Sequence, residues 1–297
     1  MSARLRLATR GSRLALAQAA LVVGKLDAIG VGAELVVVDT EGDRRGNVAI
    51  AALAGQGVFT KEVQAAVLDG RADVAVHSAK DLPSTTPPGL LLASVPERAD
   101  PADALVGVPL QVLGPGATVA TGAPRRRALL LSERPDLNVV GLRGNIETRL
   151  EALGTDGIDA VVVAIAALAR LGLEARVAER LEPGYFIPQI GQGAIALECA
   201  PDADDALEAL VAIDDDDAHR ALRCERAFLA ELGAGCELPG GAYATCEYGS
   251  VVVHAVLMSE DGSALVRGFT SEDEPELAGS SLAARLHGEL SGASGGS

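Results

Sequence analysis

The sequence predicts an α/β fold in which largely parallel sheets are covered by helices on both sides. Short runs rich in β-branched residues alternate along the chain with segments of helical period, which is the pattern of α/β proteins. The run "DAVVVAIA" at 159–166 is apolar almost throughout, as expected of a parallel strand buried on both faces. With 297 residues, 48% of them hydrophobic, the chain is long enough for two or three domains.

The clearest strands and helices lie in the first two thirds of the chain. Two of the predicted helices end at a glycine, Gly30 or Gly70, which is a common helix stop. The predicted strands are residues 4–9, 33–40, 72–78, 117–121, 138–142, 159–166 and 194–199. The predicted helices are residues 12–30, 60–70 and 124–135.

Three other segments are irregular, acidic or hairpin-like. The proline-rich segment 83–107 is interpreted as the exit from one α/β unit into a second. Beyond residue 200 the chain is acidic and helical, and its aspartate run at 214–217 is interpreted as a solvated face or a linker. Residues 250–270 predict a β-hairpin with an Asp-Gly turn at 261–262.

The net charge is strongly negative, because 41 acidic residues oppose 25 basic ones and give −16. Only three of the basic residues are lysine, so 22 are arginine. Such an acidic surface disfavours binding to nucleic acid or to an anionic membrane. Adaptation to high salt is our hypothesis for this balance, because screening tolerates dense surface carboxylates. No apolar run reaches the length of a membrane span and arginines interrupt the opening segment, so a soluble, cytoplasmic protein is expected.

One of the four cysteines stands in an unusual setting. Cys236 lies in "ELGAGCELPGGAY", where four glycines are predicted to keep the segment mobile and uncrowded, so that a ligand can reach the thiol. None of the cysteines belongs to a C-x-x-C pair, so no metal site is predicted and reduced thiols are expected. The cysteines are residues 199, 224, 236 and 246.

Arginines cluster at two places in this acidic chain. Arg125, Arg126 and Arg127 are consecutive and have no acidic neighbour, whereas arginines elsewhere generally stand beside acids. Arg143 stands at a predicted strand end, and Arg149 lies on the helix that follows. Because a guanidinium binds an oxyanion through two parallel N–H groups, these residues predict a site for carboxylates or phosphates.

Two earlier strand-to-helix junctions carry further polar side chains. In "ATRGSRLALAQ", Arg10 ends a strand, and Ser12 fits either a helix N-cap or a contact with an anion. In "VAVHSAKDLP", Asp81 follows a strand end, where ligand groups collect in open parallel sheets, but a turn or cap role is equally open. His77 and Ser78 hint at acid–base or nucleophilic chemistry, although no third member of such a group is evident.

Six segments together resemble the porphobilinogen deaminases, also called hydroxymethylbilane synthases, of the tetrapyrrole pathway. They follow the family's order over nearly the whole chain. The segments are "ATRGSRLALAQ", "GVFTKEVQAAVLDGRADVAVHSAKDLP", "RRRALLLSERPDLNVVGLRGNIETRL", "DAVVVAIAALARLGL", "PQIGQGAIALEC" and "GAGCELPGGAYA". The resemblance implies a transferase that adds four porphobilinogen molecules, each with loss of ammonia, to a covalent dipyrromethane cofactor and releases linear hydroxymethylbilane by hydrolysis.

The resemblance also implies roles for individual residues. Cys236 matches the family's cysteine that holds the dipyrromethane through a thioether, and Asp81 matches the catalytic aspartate of its H-S-x-K-D motif. The residues that match cofactor-binding positions are Cys236, Ser12, Asp81, Arg125 and Arg126, and those that match substrate-binding positions are Arg10, Arg126, Arg143 and Arg149. A monomer is expected, with porphobilinogen as its small-molecule substrate and neither nucleic acid nor membrane as a partner.

The implied architecture has two α/β domains like those of periplasmic binding proteins, flanking a cleft, and a small α+β C-terminal domain that carries Cys236. Domain 1 is expected to be discontinuous, because "PQIGQGAIALEC" would return to it. The expected divisions are 1–96 with 192–212 for domain 1, 97–191 for domain 2, 213–290 for domain 3 and 291–297 for a disordered tail.

The chain departs from the family pattern at four positions. Gln56 and Ala52 stand where many members have lysine, and Gly122 and Ala123 replace serines that often precede the arginine pair. The cofactor's carboxylates are therefore expected to have fewer partners here or to rely more on arginine. No binding role is carried over to Gln56 or Ala52.

Two other functions compete with the enzyme. A non-enzymatic two-domain binding protein for a small polycarboxylate anion would use the same kind of cleft and need no covalent group. A regulatory or scaffold protein whose acidic surface binds a basic partner would leave the arginine clusters and the cysteine segment unexplained.

Overall fold

The computed structural model describes residues 4–40, 60–233, 239–259 and 264–294. The density of contacts divides the chain into two compact units. Unit 1 comprises Met1–Ala99 and Ala194–Arg223, and unit 2 comprises Asp100–Gly193 and Cys224–Ser297. The three-domain division with its boundaries stays a prediction.

Strands and helices alternate along the described chain, and every strand and helix named above is present with ends that differ by a few residues. The strands are β1 (Leu5–Arg10), β2 (Ala33–Val38), β3 (Val74–Ser78), β4 (Leu91–Ser94), β5 (Asp103–Gly107), β6 (Thr118–Ala120), β7 (Asn138–Val140), β8 (Ile158–Ala164), β9 (Val177–Leu181), β10 (Ile195–Cys199), β11 (Gly240–Glu247), β12 (Ser250–Met258) and β13 (Leu265–Glu272). The helices are α1 (Arg13–Ala28), α2 (Lys61–Leu68), α3 (Pro124–Glu133), α4 (Ile146–Glu151), α5 (Ile165–Arg170), α6 (Asp204–Val211), α7 (Asp216–Glu231) and α8 (Pro275–Ser294). Within the described ranges, no helix combines the length and the apolar character that crossing a membrane requires.

Unit 1 contains a five-stranded sheet in the order β2-β1-β3-β10-β4. β1 pairs in parallel with β2 and β3, whereas β10 pairs antiparallel with β3 and β4. The segment "AIALEC" thus returns to the first sheet, as predicted. Helix α1 packs its buried stripe, Ala19, Val22 and Leu26, into one cluster with Leu7 and Leu197 of the sheet.

The larger sheet of unit 2 repeats this arrangement in the order β7-β6-β8-β5-β9. β6 pairs in parallel with β7 and β8, and β5 pairs antiparallel with β8 and β9. The prediction of largely parallel sheets is therefore wrong, because both sheets are mixed. An apolar strand reveals that it is buried on both faces, but its direction depends on the path of the chain, which periodicity does not record.

The proline-rich segment 83–107 contains two strands that the sequence analysis missed, β4 and β5. β5 pairs with a neighbour on each side and is fully buried over most of its length. The interpretation as the exit from one unit into a second is confirmed, because unit 1 ends at Ala99 and unit 2 begins at Asp100. The five residues of β5, "DALVG", are too few to stand out among the surrounding prolines. β9 was missed for another reason, since "VAERL" alternates apolar and charged residues over only five positions.

The smaller sheet of unit 2 is antiparallel, in the order β11-β12-β13, and α8 packs on it. The predicted hairpin at 250–270 corresponds to β12 and β13, and its turn at 261–262 lies outside the described residues. Two mixed α/β sheets and a small C-terminal α+β part confirm the predicted fold class.

The final helix runs further than expected. α8 continues to Ser294, so the prediction of a disordered tail is wrong for residues 291–294. Leu290 is buried, and the Ser291 hydroxyl donates a hydrogen bond of 2.9 Å to the His287 carbonyl, which extends the last turns. Residues 295–297 lie outside the described chain.

The aspartate run at 214–217 is only partly a solvated face. Asp214 accepts a 2.6 Å hydrogen bond from the Val95 amide, and Asp215 accepts one of 2.9 Å from the Ala218 amide at the start of α7. Asp216 and Asp217 are exposed in the first turn of that helix, where negative charge is favourable. The interpretation as a linker is therefore wrong for the first two aspartates, which anchor and cap the helix.

Candidate active site

In unit 1, two neighbouring parallel strands end at the same edge of the sheet and form a small pocket. β1 ends at Arg10, and β3 is followed by one 3-10 turn over Ala79–Asp81. The N-terminal turns of α1 form a further wall, and the cavity measures about 70 Å³. Its polar lining includes Arg10, Ser12, Gln18, Ser78, Lys80 and Asp81.

Asp81 lies in the turn after β3 and lines this pocket. Its Oδ2 is 3.9 Å from Arg10 Nη1, and the two side chains are 29% and 21% exposed. Opposite charges at this distance in partly solvated surroundings attract each other without forming a tight bond. Asp81 therefore occupies a turn and also lines the pocket. The two roles that the sequence left open, a turn residue and a ligand-facing residue, are compatible.

Ser12 is the N-cap of α1. Its hydroxyl oxygen accepts a hydrogen bond of 3.3 Å from the Ala15 amide, which satisfies one of the free amides of the first turn. The same residue lines the pocket. The cap role left open by the sequence is thus observed, and the hydroxyl proton stays available for an acceptor in the pocket.

Gln18 is a pocket residue that the sequence analysis missed. It is 2% exposed, its Oε1 accepts a 2.9 Å hydrogen bond from the Ser78 hydroxyl, and its Nε2 has no partner among the described residues. Buried amide donors are normally satisfied, so this one fits an acceptor on a ligand. A usable signal was present: position 18 lies on the same stripe of α1 as Val22 and Leu26, where a glutamine is unusual.

His77 and Ser78 do not form a catalytic pair in the described chain. His77 Nε2 lies 3.2 Å from Glu198 Oε2, and the same oxygen accepts a 2.8 Å hydrogen bond from Gln64 Nε2. These three side chains are buried, whereas Ser78 bonds Gln18. The described residues give no support to nucleophilic chemistry here, because His77 faces Glu198 while Ser78 bonds Gln18.

Unit 2 contains the predicted arginine cluster. Arg125 Nη2 donates to Asp103 Oδ2 at 2.7 Å, and Arg126 donates to Asp103 Oδ1 from Nη2 at 2.7 Å and from Nε at 3.1 Å. The arginines are each 5% exposed and the aspartate is fully buried. The two guanidinium groups hold the pKa of the Asp103 carboxyl well below its usual range, despite its burial. No acid stands beside these arginines in sequence, and the acid that they bond comes from a separate strand, β5.

Arg127, the third arginine of the triplet, has a structural partner. Its Nη1 donates to the Val139 carbonyl of β7, next to α3 in chain order. Consecutive helical residues point about 100° apart, so three neighbouring arginines do not all face one site.

Arg149 lies near the arginine pair, while Arg143 is exposed. Burial, and then the positive charge of Arg126, lower the pKa of Arg149. Its Nε donates to the Gly144 carbonyl at 2.9 Å, and Asn145 caps α4 by accepting from the Thr148 amide at 2.8 Å. Arg149 and Arg126 repel each other, which favours an anion close to both.

Arg170, at the end of α5, was also missed. Burial lowers the pKa of its guanidinium to about 10, and its Nη2 donates to the Gly193 carbonyl at 2.6 Å. Its Nε is buried without a hydrogen-bond partner among the described residues. The signal in the sequence was an arginine inside the apolar run "IAALARLGL", with no acid beside it.

Two family models match the chain. The model described as "Porphobilinogen deaminase, dipyromethane cofactor binding domain" matches residues 5–208, and "Porphobilinogen deaminase, C-terminal domain" matches residues 219–288. The chain belongs to the porphobilinogen deaminase family. The predicted family, the predicted transferase of tetrapyrrole biosynthesis and the predicted dipyrromethane cofactor are thereby confirmed.

Individual relatives cover nearly the whole chain. The porphobilinogen deaminase of Syntrophotalea carbinolica is 44% identical over 271 residues, which are 90% of this chain and 86% of that protein. The porphobilinogen deaminase of Roseiflexus castenholzii is 43% identical over 289 residues and is covered to 95%, as is this chain. Among solved structures, a periplasmic substrate-binding protein of an ABC transporter from Coxiella burnetii has a TM-score of 0.42 at 12% identity, over 70% of this chain and 93% of that one.

The cysteine that matches the cofactor position of porphobilinogen deaminases, Cys236, lies outside the described residues, as do Gln56 and Ala52. Cys199 and Cys224 are buried, and burial raises their thiol pKa values to about 11 and about 12. Thiols with such pKa values are inert at neutral pH, because the thiolate is the nucleophile.

The strand that follows the cysteine segment touches the arginine pair. A methyl group on Gly241 in β11 would stand 2.5 Å from the Pro188 carbonyl oxygen and 2.9 Å from Arg125 Cδ. Only glycine permits this approach. The prediction that the glycines serve mobility is wrong for Gly241, which is buried and sets the spacing between β11 and Arg125.

One departure from the porphobilinogen deaminase pattern has a packing cause. A methyl group on Gly122 would stand 2.4 Å from the Leu142 carbonyl oxygen, so a serine there would push the backbone after β6 away from the backbone after β7. Ala123, the other departure, immediately precedes α3. The expectation that the cofactor has fewer partners at these positions stays a prediction.

Proposed function

We propose that this protein adds four porphobilinogen molecules to a dipyrromethane held by Cys236, releases one ammonia per addition, and frees linear hydroxymethylbilane by hydrolysis. The observation that carries the proposal is the contact between Gly241 and Arg125, because it places the strand after the cysteine segment against the buried arginine pair. Cys236 precedes Gly241 by five residues, which span at most about 18 Å when fully extended. This short chain length between Cys236 and β11 supports the assignment of these arginines to the cofactor.

The ligands in this reaction carry an acetate and a propionate on every pyrrole ring, so the site needs cations. We assign cofactor binding to Cys236, Ser12, Asp81, Arg125 and Arg126, and substrate binding to Arg10, Arg126, Arg143 and Arg149. Partial burial lowers the pKa of Arg149 and of Arg170, which supports this assignment, because cations removed from water favour bound anions. We add Arg170 to the anion-binding set for the same reason.

Asp81 is the residue to which we assign the chemistry. Loss of ammonia from porphobilinogen leaves a cationic azafulvene, and a fixed negative charge beside it lowers the barrier. The Asp81 carboxylate oxygens can stabilise that charge through the pyrrole N–H and can take up or return a proton. Arg10 Nη1 lies 3.9 Å from Asp81 Oδ2, and its positive charge attracts the carboxylate.

The donors of the described residues fit a dipyrromethane. When attached, this group supplies the free pyrrole position from which the chain grows. Gln18 Nε2 and Arg170 Nε are buried donors without a partner among the described residues, and both suit a ligand rich in carboxylate oxygens.

The competing function, non-enzymatic binding of a polycarboxylate, is not favoured by the family membership. The test is incubation of the purified protein with porphobilinogen, followed by assay of ammonia and of linear tetrapyrrole. The enzyme releases one ammonia for each porphobilinogen consumed and accumulates hydroxymethylbilane. Uptake of porphobilinogen without any ammonia would instead establish a binding protein.

We further propose a cytoplasmic monomer that binds neither nucleic acid nor membranes. The net charge of −16 supports the exclusion of polyanionic partners, because like charges repel. The same charge, combined with only three lysines, supports an origin in a salt-adapted, halophile-like proteome.

Salt should stabilise this protein. We expect the midpoint of thermal unfolding to rise by about 5 °C or more between low salt and molar KCl, because screening weakens repulsion among surface carboxylates. NaCl at the same ionic strength serves as the control and should act alike if screening is the cause. A midpoint that does not respond to either salt would rule out the adaptation.

A further inference from the structure

Asp103 brings together two side chains that helix geometry would separate. Arg125 and Arg126 are consecutive in α3, so their side chains leave the helix about 100° apart. Both guanidinium groups nevertheless end on the same carboxylate, one on each oxygen, at 2.7 Å. The carboxylate belongs to β5, whose first residue is Asp103.

The Asp103 carboxylate is itself fixed by a hydrogen bond from a neighbouring glutamine. Gln192 Nε2 donates to Asp103 Oδ1 at 2.8 Å and to the Pro101 carbonyl at 2.7 Å. Gln192 Oε1 in turn accepts from Arg126 Nη2 at 3.3 Å. Asp103 is fully buried, so neither its orientation nor its charge depends on solvent.

The arginines are fixed at their far ends by backbone carbonyls. Arg125 Nη1 donates to the Ile187 carbonyl at 2.6 Å, and Arg126 Nη1 donates to the Val162 carbonyl at 3.1 Å. The bonds with described residues use two of the five N–H groups of Arg125 and four of those of Arg126. Donor capacity therefore remains, mostly on Arg125.

The charges of Asp103, Arg125 and Arg126 do not cancel. Two guanidinium groups against one carboxylate leave a net charge of +1, and the three residues are at most 5% exposed. A purely structural ion pair would match one cation with one anion, since an uncompensated buried charge is costly. The surplus is appropriate for one bound carboxylate.

We propose that Asp103 is a positioning residue that aims the Arg125 and Arg126 guanidinium groups and sets the charge of their site to +1, so that the pair takes one carboxylate of the growing pyrrole chain or its cofactor. This inference rests on the proposed function for the identity of the ligand. The part that concerns orientation and charge rests on the geometry alone.

The test compares Asp103→Asn with Asp103→Glu, and uses Asp100→Asn as the matched control. Asp100 also bonds an arginine, Arg180, at 2.7 Å, but that pair is about one-third exposed. Each substitution is made in the full chain carrying Cys236→Ser, which cannot attach the cofactor. The affinity for sulfate is then measured by calorimetry at constant ionic strength.

Asp103→Asn raises the summed charge of Asp103, Arg125 and Arg126 from +1 to +2, so sulfate should bind about tenfold more tightly. Asp103→Glu keeps the charge but moves the guanidinium groups, so sulfate should not bind more tightly in that variant. Asp100→Asn lies outside the site and should leave the sulfate affinity unchanged. In the chain with Cys236 intact, the two Asp103 substitutions should slow cofactor attachment, followed by intact mass, about tenfold. The reason is that the guanidinium groups are no longer held in the orientation that binds a carboxylate.

A folded Asp103→Asn variant with the sulfate affinity of its parent would overturn the proposal. If that variant does not fold, Asp103→Glu decides, and a normal rate of cofactor attachment in it would refute the positioning role. A parent chain that never gains the pyrrole-derived mass would refute the proposed function instead. The sulfate comparison would still test the role of Asp103 independently.

Discussion

Asp81→Asn is expected to lower the turnover of porphobilinogen by about 10²- to 10⁴-fold, the usual range for a group that moves protons and stabilises charge. Asparagine keeps the shape of the side chain but carries no negative charge and does not accept a proton at neutral pH. The fold should survive, because the Arg10 contact is 3.9 Å long and partly exposed, which limits its contribution to about 1 kcal/mol. The measurements are kcat and the midpoint of thermal unfolding.

Asp69→Asn is the matched control for this prediction. Asp69 stands 3.5 Å from Arg71 in the same unit, and it is well exposed, away from the pocket. Its substitution should leave kcat within about a factor of two. Turnover by Asp81→Asn at the parent's rate would remove Asp81 from the chemistry.

Arg126→Leu is expected to lower the free energy of unfolding by about 3–5 kcal/mol and to prevent cofactor attachment. The substitution removes both of the Arg126 hydrogen bonds to Asp103 and leaves that buried carboxylate with only Arg125 and Gln192. It also removes one of the two cations assigned to the cofactor. Urea unfolding measures the stability loss, and intact mass measures the attachment.

Arg134→Leu separates the two effects of that change. Arg134 follows the last residue of α3 and donates to the Leu110 and Leu113 carbonyls at 2.7 and 3.0 Å, so its loss should destabilise unit 2 as well. It takes no part in the arginine pair, and cofactor attachment should persist. Attachment that survives in Arg126→Leu, or that fails equally in both variants, would contradict the assigned role.

The sequence predicted the elements of the fold better than their connections. Periodicity located β1, in which leucine and arginine alternate, and β8, whose burial on both faces leaves a continuous apolar run. It did not reveal that β10 and β5 run antiparallel to their neighbours, since strand direction depends on contacts that are distant in sequence. The strand β5 was not predicted because it is short, and Asp103, the acid that bonds the arginine pair, was therefore missed as well.

The candidate site was predicted where its residues stand at strand ends or in clusters. Arg10, Asp81, Arg125 and Arg126 all carry such a signal, and the structure brings them to a pocket or to a buried network in their own unit. Asp103 carries no local signal, because its function depends on a helix that follows about twenty residues later.

Two missed donors had a signal of another kind. Gln18 and Arg170 are polar residues of apolar helices, the first buried and the second half-buried, which indicates a partner that the sequence does not name. The unpartnered nitrogen atoms, by contrast, become evident only when the neighbours are known in three dimensions.

The most direct test of the account is the intact mass of the purified protein beside a Cys236→Ser variant. We expect the unmodified chain to carry the mass of two deaminated porphobilinogen units, either as isolated or after incubation with porphobilinogen, and the variant to carry none. That result would establish both the dipyrromethane and its attachment point. A chain whose mass stays that of the polypeptide alone after incubation would contradict the proposed function.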